Sequence, residues 1–219
     1  CANCLQRPRT PSAVKPMRSA RWPPWGGGLL YLLRGVWTDA AIPAVAAALC
    51  FCLSMAALYA ASAIYHYYPG TAASGGVKRV LRKMDHSMIY VLIAGSYTPF
   101  CVVLLPQPRG TQFCLILWGV ALAGVLAKML WINAPRMLST AVYLIMGWSV
   151  VFVAKDFTAL GQPCLTLVAL GGICYSVGAV FYAVKKPNIS AEWTFHELFH
   201  LLILAGSFFH YLAVYLYVL

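Results

Sequence analysis

Two histidines four residues apart, in His196-Glu197-Leu198-Phe199-His200, stand where the last long apolar stretch of the chain begins. Four residues of α-helix turn through about 400° and rise about 6 Å, so the two imidazoles share one face, one turn apart. That geometry lets both rings reach one metal ion. Ionisable groups at the end of an apolar helix are costly to bury, and their default reading is functional.

Other polar groups gather at the same depth. Ser62-Ala-Ile-Tyr-His66 closes an earlier apolar stretch with a second i,i+4 pair, and Asp85-His86 opens the next one. Three neutral imidazoles, His66, His196 and His200, with one position open to water, are the layout of a catalytic-type zinc site. Zn2+ lowers the pKa of such a water toward neutrality. Asp85 could bond that water or orient a ligand ring; the plainer reading is a helix N-cap. Ser62 lies one turn from His66 on the same face, and its plainer reading is a back-bond to a helix carbonyl. His86 points about 100° away from Asp85 and is expected at a neighbouring helix instead of the metal. His210 lies about 15 Å deeper than His200, too far to share the ion, and suits a helix–helix hydrogen bond.

The elements that must position these groups are membrane spans. The chain is 62% hydrophobic and 10% charged over 219 residues, against about 25% charged in a soluble domain. Apolar segments fall at roughly 40–67, 86–105, 113–132, 138–154, 163–184 and 196–218. Each is long enough for ~30 Å of hydrocarbon with some tilt. Their continuity excludes barrel strands, which would alternate. The fold class is therefore all-α: a polytopic transmembrane helical bundle with six clear spans. Turn signals such as Pro69-Gly70, Gly75-Gly76 and Pro187-Asn188 separate the spans.

Charge orients the bundle. Lys78, Arg79, Arg82, Lys83, Arg136, Lys185 and Lys186 flank one set of span ends; only Arg109 and Lys155 flank the other. The positive-inside bias puts the first set, with His66, Asp85, His196 and His200, in the cytoplasm and the C-terminus outside. Residues 1–39 conflict with this. They form an irregular, basic segment carrying Arg7, Arg9, Lys15, Arg18, Arg21 and Arg34, which six spans would leave outside. One more helix ahead of residue 40 removes the conflict, so a first helix is missing from 40–219 or degenerate around 24–37. The net charge of +11 needs no nucleic-acid partner; anionic lipid headgroups suffice. Cys1-Ala-Asn-Cys4 has the CxxC spacing without a second pair, and Cys50, Cys52, Cys101, Cys114 and Cys174 read as small apolar filler of the spans.

Ser62-x-x-x-His66, the run from Asp85 to Pro99, and His196-x-x-x-His200 with His210-Tyr211 resemble the hemolysin III family. This is the bacterial branch of the progestin and adipoQ receptor superfamily. The resemblance covers about residues 40–219. It implies seven helices, a bacterial plasma membrane, and zinc held by His66, His196 and His200 with Asp85 and Ser62 beside it. It also implies either zinc-dependent hydrolysis of lipid amide or ester bonds, of the ceramidase kind, or a receptor built on that site. The hemolysin label of bacterial members adds pore formation. Two further readings stay open: a purely structural zinc site, and a zinc peptidase in which the HExxH letters make Glu197 the general base.

Overall fold

The structure, a computed structural model, describes residues 24–69, 76–131, 135–157, 161–190 and 193–219. Cys1, Cys4 and the basic residues Arg7 to Arg21 lie outside the described residues. Seven helices account for nearly all of what is described: α1 Pro24–Trp37, α2 Ile42–Tyr67, α3 Gly76–Pro99, α4 Arg109–Leu130, α5 Arg136–Gly147, α6 Gln162–Val184 and α7 Phe195–Tyr217.

Local sequence explains most of the boundaries. α2 and α6 each begin with proline in their first turn, where the missing N–H costs nothing. α2 ends when Tyr68 turns extended just ahead of Pro69. α3 keeps helical geometry through Pro99, then widens into a π-turn at Phe100–Leu104 that Leu105 N closes onto the Phe100 carbonyl at 3.0 Å. A proline cannot donate into the ladder, and the wider turn follows directly after it.

Five helices are long and apolar enough to cross a membrane: 42–67, 76–104, 109–130, 162–184 and 195–217. The segment expected at 138–154 is helical along its length but changes pitch. After Gly147 it tightens into a 3-10 stretch, Trp148–Val153, followed by the short turn Ala154–Phe157. The reason lies on α3. The Tyr97 hydroxyl donates to the Gly147 carbonyl and accepts from Val150 N at 3.1 Å, taking over backbone groups that a continuous α-helix would pair internally.

The first helix is present, though short. α1 has 14 residues, about 21 Å, so the irregular reading of residues 1–39 does not hold from Pro24 onward. Gly35 lies against Val45 and Gly28 against Leu49, so α1 runs antiparallel to α2. The fully buried Tyr31 stacks on Tyr211 at 4.5 Å and donates to its carbonyl at 3.1 Å. Tyr211 donates back to the Gly27 carbonyl at 3.2 Å, and the Arg34 guanidinium lies 4.6 Å over the Tyr215 ring. α1 is thus clamped between α2 and α7.

α6 and α7 pair antiparallel through glycines. A Cβ at Gly171 would fall 2.4 Å from the His210 ring, and one at Gly206 2.7 Å from Tyr175. Those two positions set how closely the helices approach. The expected helix–helix bond of His210 is made: its Nε2 lies 3.1 Å from the Val168 carbonyl on α6.

Candidate metal centre

The start of α7 is fixed by a capping box. Thr194 Oγ1 accepts from His196 N at 3.3 Å, while the Glu197 carboxylate accepts from Thr194 N at 3.1 Å and from the Thr194 hydroxyl. Thr-x-x-Glu satisfies two orphan amides reciprocally. Asn188 Oδ1 adds a bond to Phe195 N at 3.1 Å, tying the preceding loop to the same turn. With its first residue set, the helix presents His196 and His200 on one face by its own periodicity.

His66 reaches the same point from α2, where it is the penultimate residue. Lys78 of α3 holds that end in place. Its ammonium donates to the Tyr65 and Tyr68 carbonyls and lies 4.6 Å over the Tyr65 ring. These are the carbonyls a helix C-terminus leaves unpaired. Neither Lys78 nor Thr194 was singled out from sequence as part of the site. Thr194-x-x-Glu197 carried a legible signal; Lys78 carried none beyond its charge.

Three imidazoles converge. His196 Nε2 lies 3.1 Å from His66 Nε2 and 3.1 Å from His200 Nε2, and one ligand nitrogen from each ring falls within 4.8 Å of the others. The rings are mutually inclined, His66 to His200 at 88° and His196 to His200 at 85°. Hydrogen bonding alone does not account for this. A neutral imidazole nitrogen carries one proton or one in-plane lone pair, so His196 Nε2 can complete only one of the two contacts. Three nitrogens aimed at a common centre are what a shared cation requires. Ligand atoms around a tetrahedral zinc lie roughly 3.3 Å apart, given Zn–N bonds near 2.0–2.1 Å. The donor set therefore fits zinc. His200 is buried, and His66 and His196 are half-buried among the described residues.

Asp85 of α3 meets Ser62 of α2, one helical turn from His66. Ser62 is one turn back from His66 and only 1% exposed. Its hydroxyl lies beside the Asp85 carboxyl, yet completes no hydrogen bond among the described residues. The back-bond considered for Ser62 is therefore absent, whereas Ser54 on the same helix makes one to Phe51 at 2.7 Å. The N-cap reading of Asp85 is also removed. α3 begins at Gly76, so Asp85 sits two and a half turns inside it, buried.

The remaining candidates separate from the metal. His86 turns toward α5 and α6: its carbonyl accepts from the Tyr143 hydroxyl at 3.0 Å, and its Nε2 lies 3.5 Å from the Tyr182 hydroxyl. Tyr182 also flanks His196, ring to ring at 6.4 Å, an aromatic wall that sequence reading passed over. Glu197 is held in the cap by Thr194, yet its carboxylate stays near enough to His66 for its charge to bear on that ring.

Residues 26–211 match the family described as Haemolysin-III related. The chain belongs to that family. It is 38% identical to the hemolysin-3 homolog of Bacillus subtilis over 158 residues, covering 72% of this chain and 70% of the relative. It is 35% identical to hemolysin-3 of Bacillus cereus over 179 residues, covering 80% and 77%. A more distant relative is the adiponectin receptor protein of Drosophila melanogaster, 28% identical and covering 61% of this chain and 34% of the relative. This hemolysin III family member is an integral membrane protein with a three-histidine cluster at one end of its bundle.

Proposed function

We propose that this protein binds zinc through His66, His196 and His200 and hydrolyses amide or ester bonds of membrane lipids, at the cytoplasmic face of a bacterial plasma membrane. One observation carries the reading: three convergent imidazole nitrogens with a buried Asp85–Ser62 pair one helical turn from His66. A structural zinc site needs a closed ligand set. A site with three protein ligands and an open position is the catalytic kind.

Bound zinc would polarise the scissile carbonyl and acidify the attacking water. Asp85 is the group that takes a proton from that water and returns it to the leaving nitrogen or oxygen. Ser62, whose buried hydroxyl lies beside the Asp85 carboxyl without completing a bond to another described group, is the donor available to hold that carboxylate in place. Burial of both groups excludes bulk water from the proton's path. Tyr182 and Phe199 hold the His196 and His200 rings, at 6.4 and 5.3 Å between centroids. Glu197, committed to Thr194, is not available as a general base, which disfavours the peptidase reading.

The test is release of fatty acid from ceramide-like and phospholipid substrates by purified protein in detergent, with and without added zinc. Zinc-dependent release, lost in His196→Ala, supports the reading. The names of the Bacillus relatives support pore formation as a second reading, and the adiponectin receptor a third, in which the zinc site serves ligand recognition. Liposome leakage that is independent of zinc and of the histidines, without lipid hydrolysis, would favour the pore.

A further inference from the structure

A second cluster of charge lies at the histidine end of the bundle, where α3, α4 and α5 meet, and no acid pairs with it among the described residues. Lys128, in the last turn of α4, is 6% exposed. Its ammonium donates to the Ser139 hydroxyl, a neutral acceptor on α5 that is itself buried. The charged neighbour that bears on it is another cation, Arg82 of α3. The next residue, Lys83, reaches across to α4 and donates to the Met129 carbonyl. No ion pair of Arg82, Lys83 or Lys128 forms among the described residues. Of the acidic side chains described, Asp85 faces Ser62, Glu197 faces Thr194, and Asp156 pairs with Arg109 at 3.0 Å. Asp39 follows α1 at the other end of the bundle.

Among the described residues the surroundings add donors and no counter-charge. α5 begins here at Arg136 without a side-chain cap, so its first-turn amides point outward unpaired by any cap. The positive end of that helix favours an anion. Thr140, next to Ser139, buries a further hydroxyl that has no partner. A buried ammonium is costly unless an anion compensates it. None of the described acids supplies that anion at this corner, and the corner lies at the end of the apolar spans, where phosphates are the abundant anions.

We infer that Lys128, Arg82, Lys83 and Ser139 form a binding site for the phosphate group of an anionic phospholipid, separate from the histidine centre. Lys128 supplies the buried charge, Arg82 a planar fork of donors suited to two phosphate oxygens, and Ser139 a hydroxyl that orients the Lys128 ammonium. The site is a lipid-specificity device and does not depend on the hydrolytic reading.

Native mass spectrometry of the full chain tests it, with lipid titrated as phosphatidylglycerol or phosphatidylcholine and zinc stoichiometry measured on the same samples. The expected result is one tightly retained phosphatidylglycerol per chain, retained over phosphatidylcholine. Removing one cation, Lys128→Met or Arg82→Gln, should weaken that retention roughly fivefold, about 1 kcal/mol per cation at the surface. Bound zinc should not change, which separates this site from the histidine centre and certifies folding. Should Lys128→Met fail to fold, Arg82→Gln still decides the matter, because Arg82 is only partly buried. Equal retention of both lipids would overturn the proposal, as would unchanged retention in Arg82→Gln. So would inorganic phosphate displacing the lipid at equal concentration, since the site would then be one for a soluble anion.

Discussion

At the level of single residues, two carboxylates at the same end of the bundle have opposite surroundings. Asp85 lies buried beside Ser62, whose hydroxyl is otherwise unbonded. Glu197 accepts two bonds from Thr194. Asp85→Ala should therefore lower lipid hydrolysis by about 10²–10⁴, the range for losing a positioned proton-transfer group, with zinc still bound by the three histidines. Glu197→Ala should keep most activity and lose about 1 kcal/mol of stability as the cap opens. Parallel measurements of fatty-acid release, zinc stoichiometry and thermal midpoint distinguish the two. A dead Glu197 variant beside an active Asp85 variant would reverse the assignment and revive the peptidase reading. His200→Ala should abolish zinc binding outright, because two imidazoles do not complete the site.

At the level of elements, α6 and α7 are held at a separation that side chains elsewhere could not reproduce. Gly171 sits under the His210 ring, where a methyl would fall 2.4 Å from it, while the neighbouring Gly172 has nothing within 4 Å. Gly171→Ala should thus cost about 1–3 kcal/mol from overpacking, and Gly172→Ala should cost nothing or slightly stabilise the helix. Thermal midpoints of the pair in one detergent give the comparison directly. Because α7 carries His196 and His200, the Gly171 variant should also bind zinc more weakly even though it lies far from the ligands. α5 illustrates the converse effect. Its apolar run reads as an ordinary span, yet Tyr97 on another helix competes for the backbone at Gly147 and Val150 and the helix changes pitch there.

For the molecule as a whole, the histidine cluster joins α2 to α7, 130 residues apart at His66 and His196, and zinc bound there would tie the two helices together. A ligand that binds only the folded state stabilises it by about 2.7 kcal/mol at 100 times its dissociation constant. Chelation should accordingly lower the thermal midpoint of the native protein and leave a His196→Ala variant unmoved. Orientation belongs to this scale as well. The basic residues Lys78, Arg79, Arg82, Lys83, Lys185 and Lys186 cluster at the histidine end, so that end should face the cytoplasm and Leu219 the outside. Reporter fusions after Leu219 and within residues 186–190 check this; a cytoplasmic C-terminus would place the metal centre outside.

The amino-acid sequence by itself determined the class of molecule and the faces within each helix. Long uncharged runs leave a helical membrane bundle as the outcome, because lipid offers no partner to an open backbone. The i,i+4 spacing places His196 with His200, and Ser62 with His66, because helical periodicity is local. Between helices that reasoning ends. The 3.1 Å approach of His66 to His196 depends on how α2 meets α7. The meeting of Asp85 with Ser62, the anchoring of α2 by Lys78, and the cluster of Lys128 with Arg82 and Lys83 depend likewise on packing between segments distant in the chain. Two local readings failed for the same reason. Asp85 resembled a cap only while α3 was taken to start at residue 86, and Ser62 a back-bond only while no neighbour was known. α1 was the hardest to read. Its 14 residues carry three consecutive glycines and an arginine, and it is its packing on α2 and the clamp of Tyr31 on Tyr211 that hold the helix in the bundle.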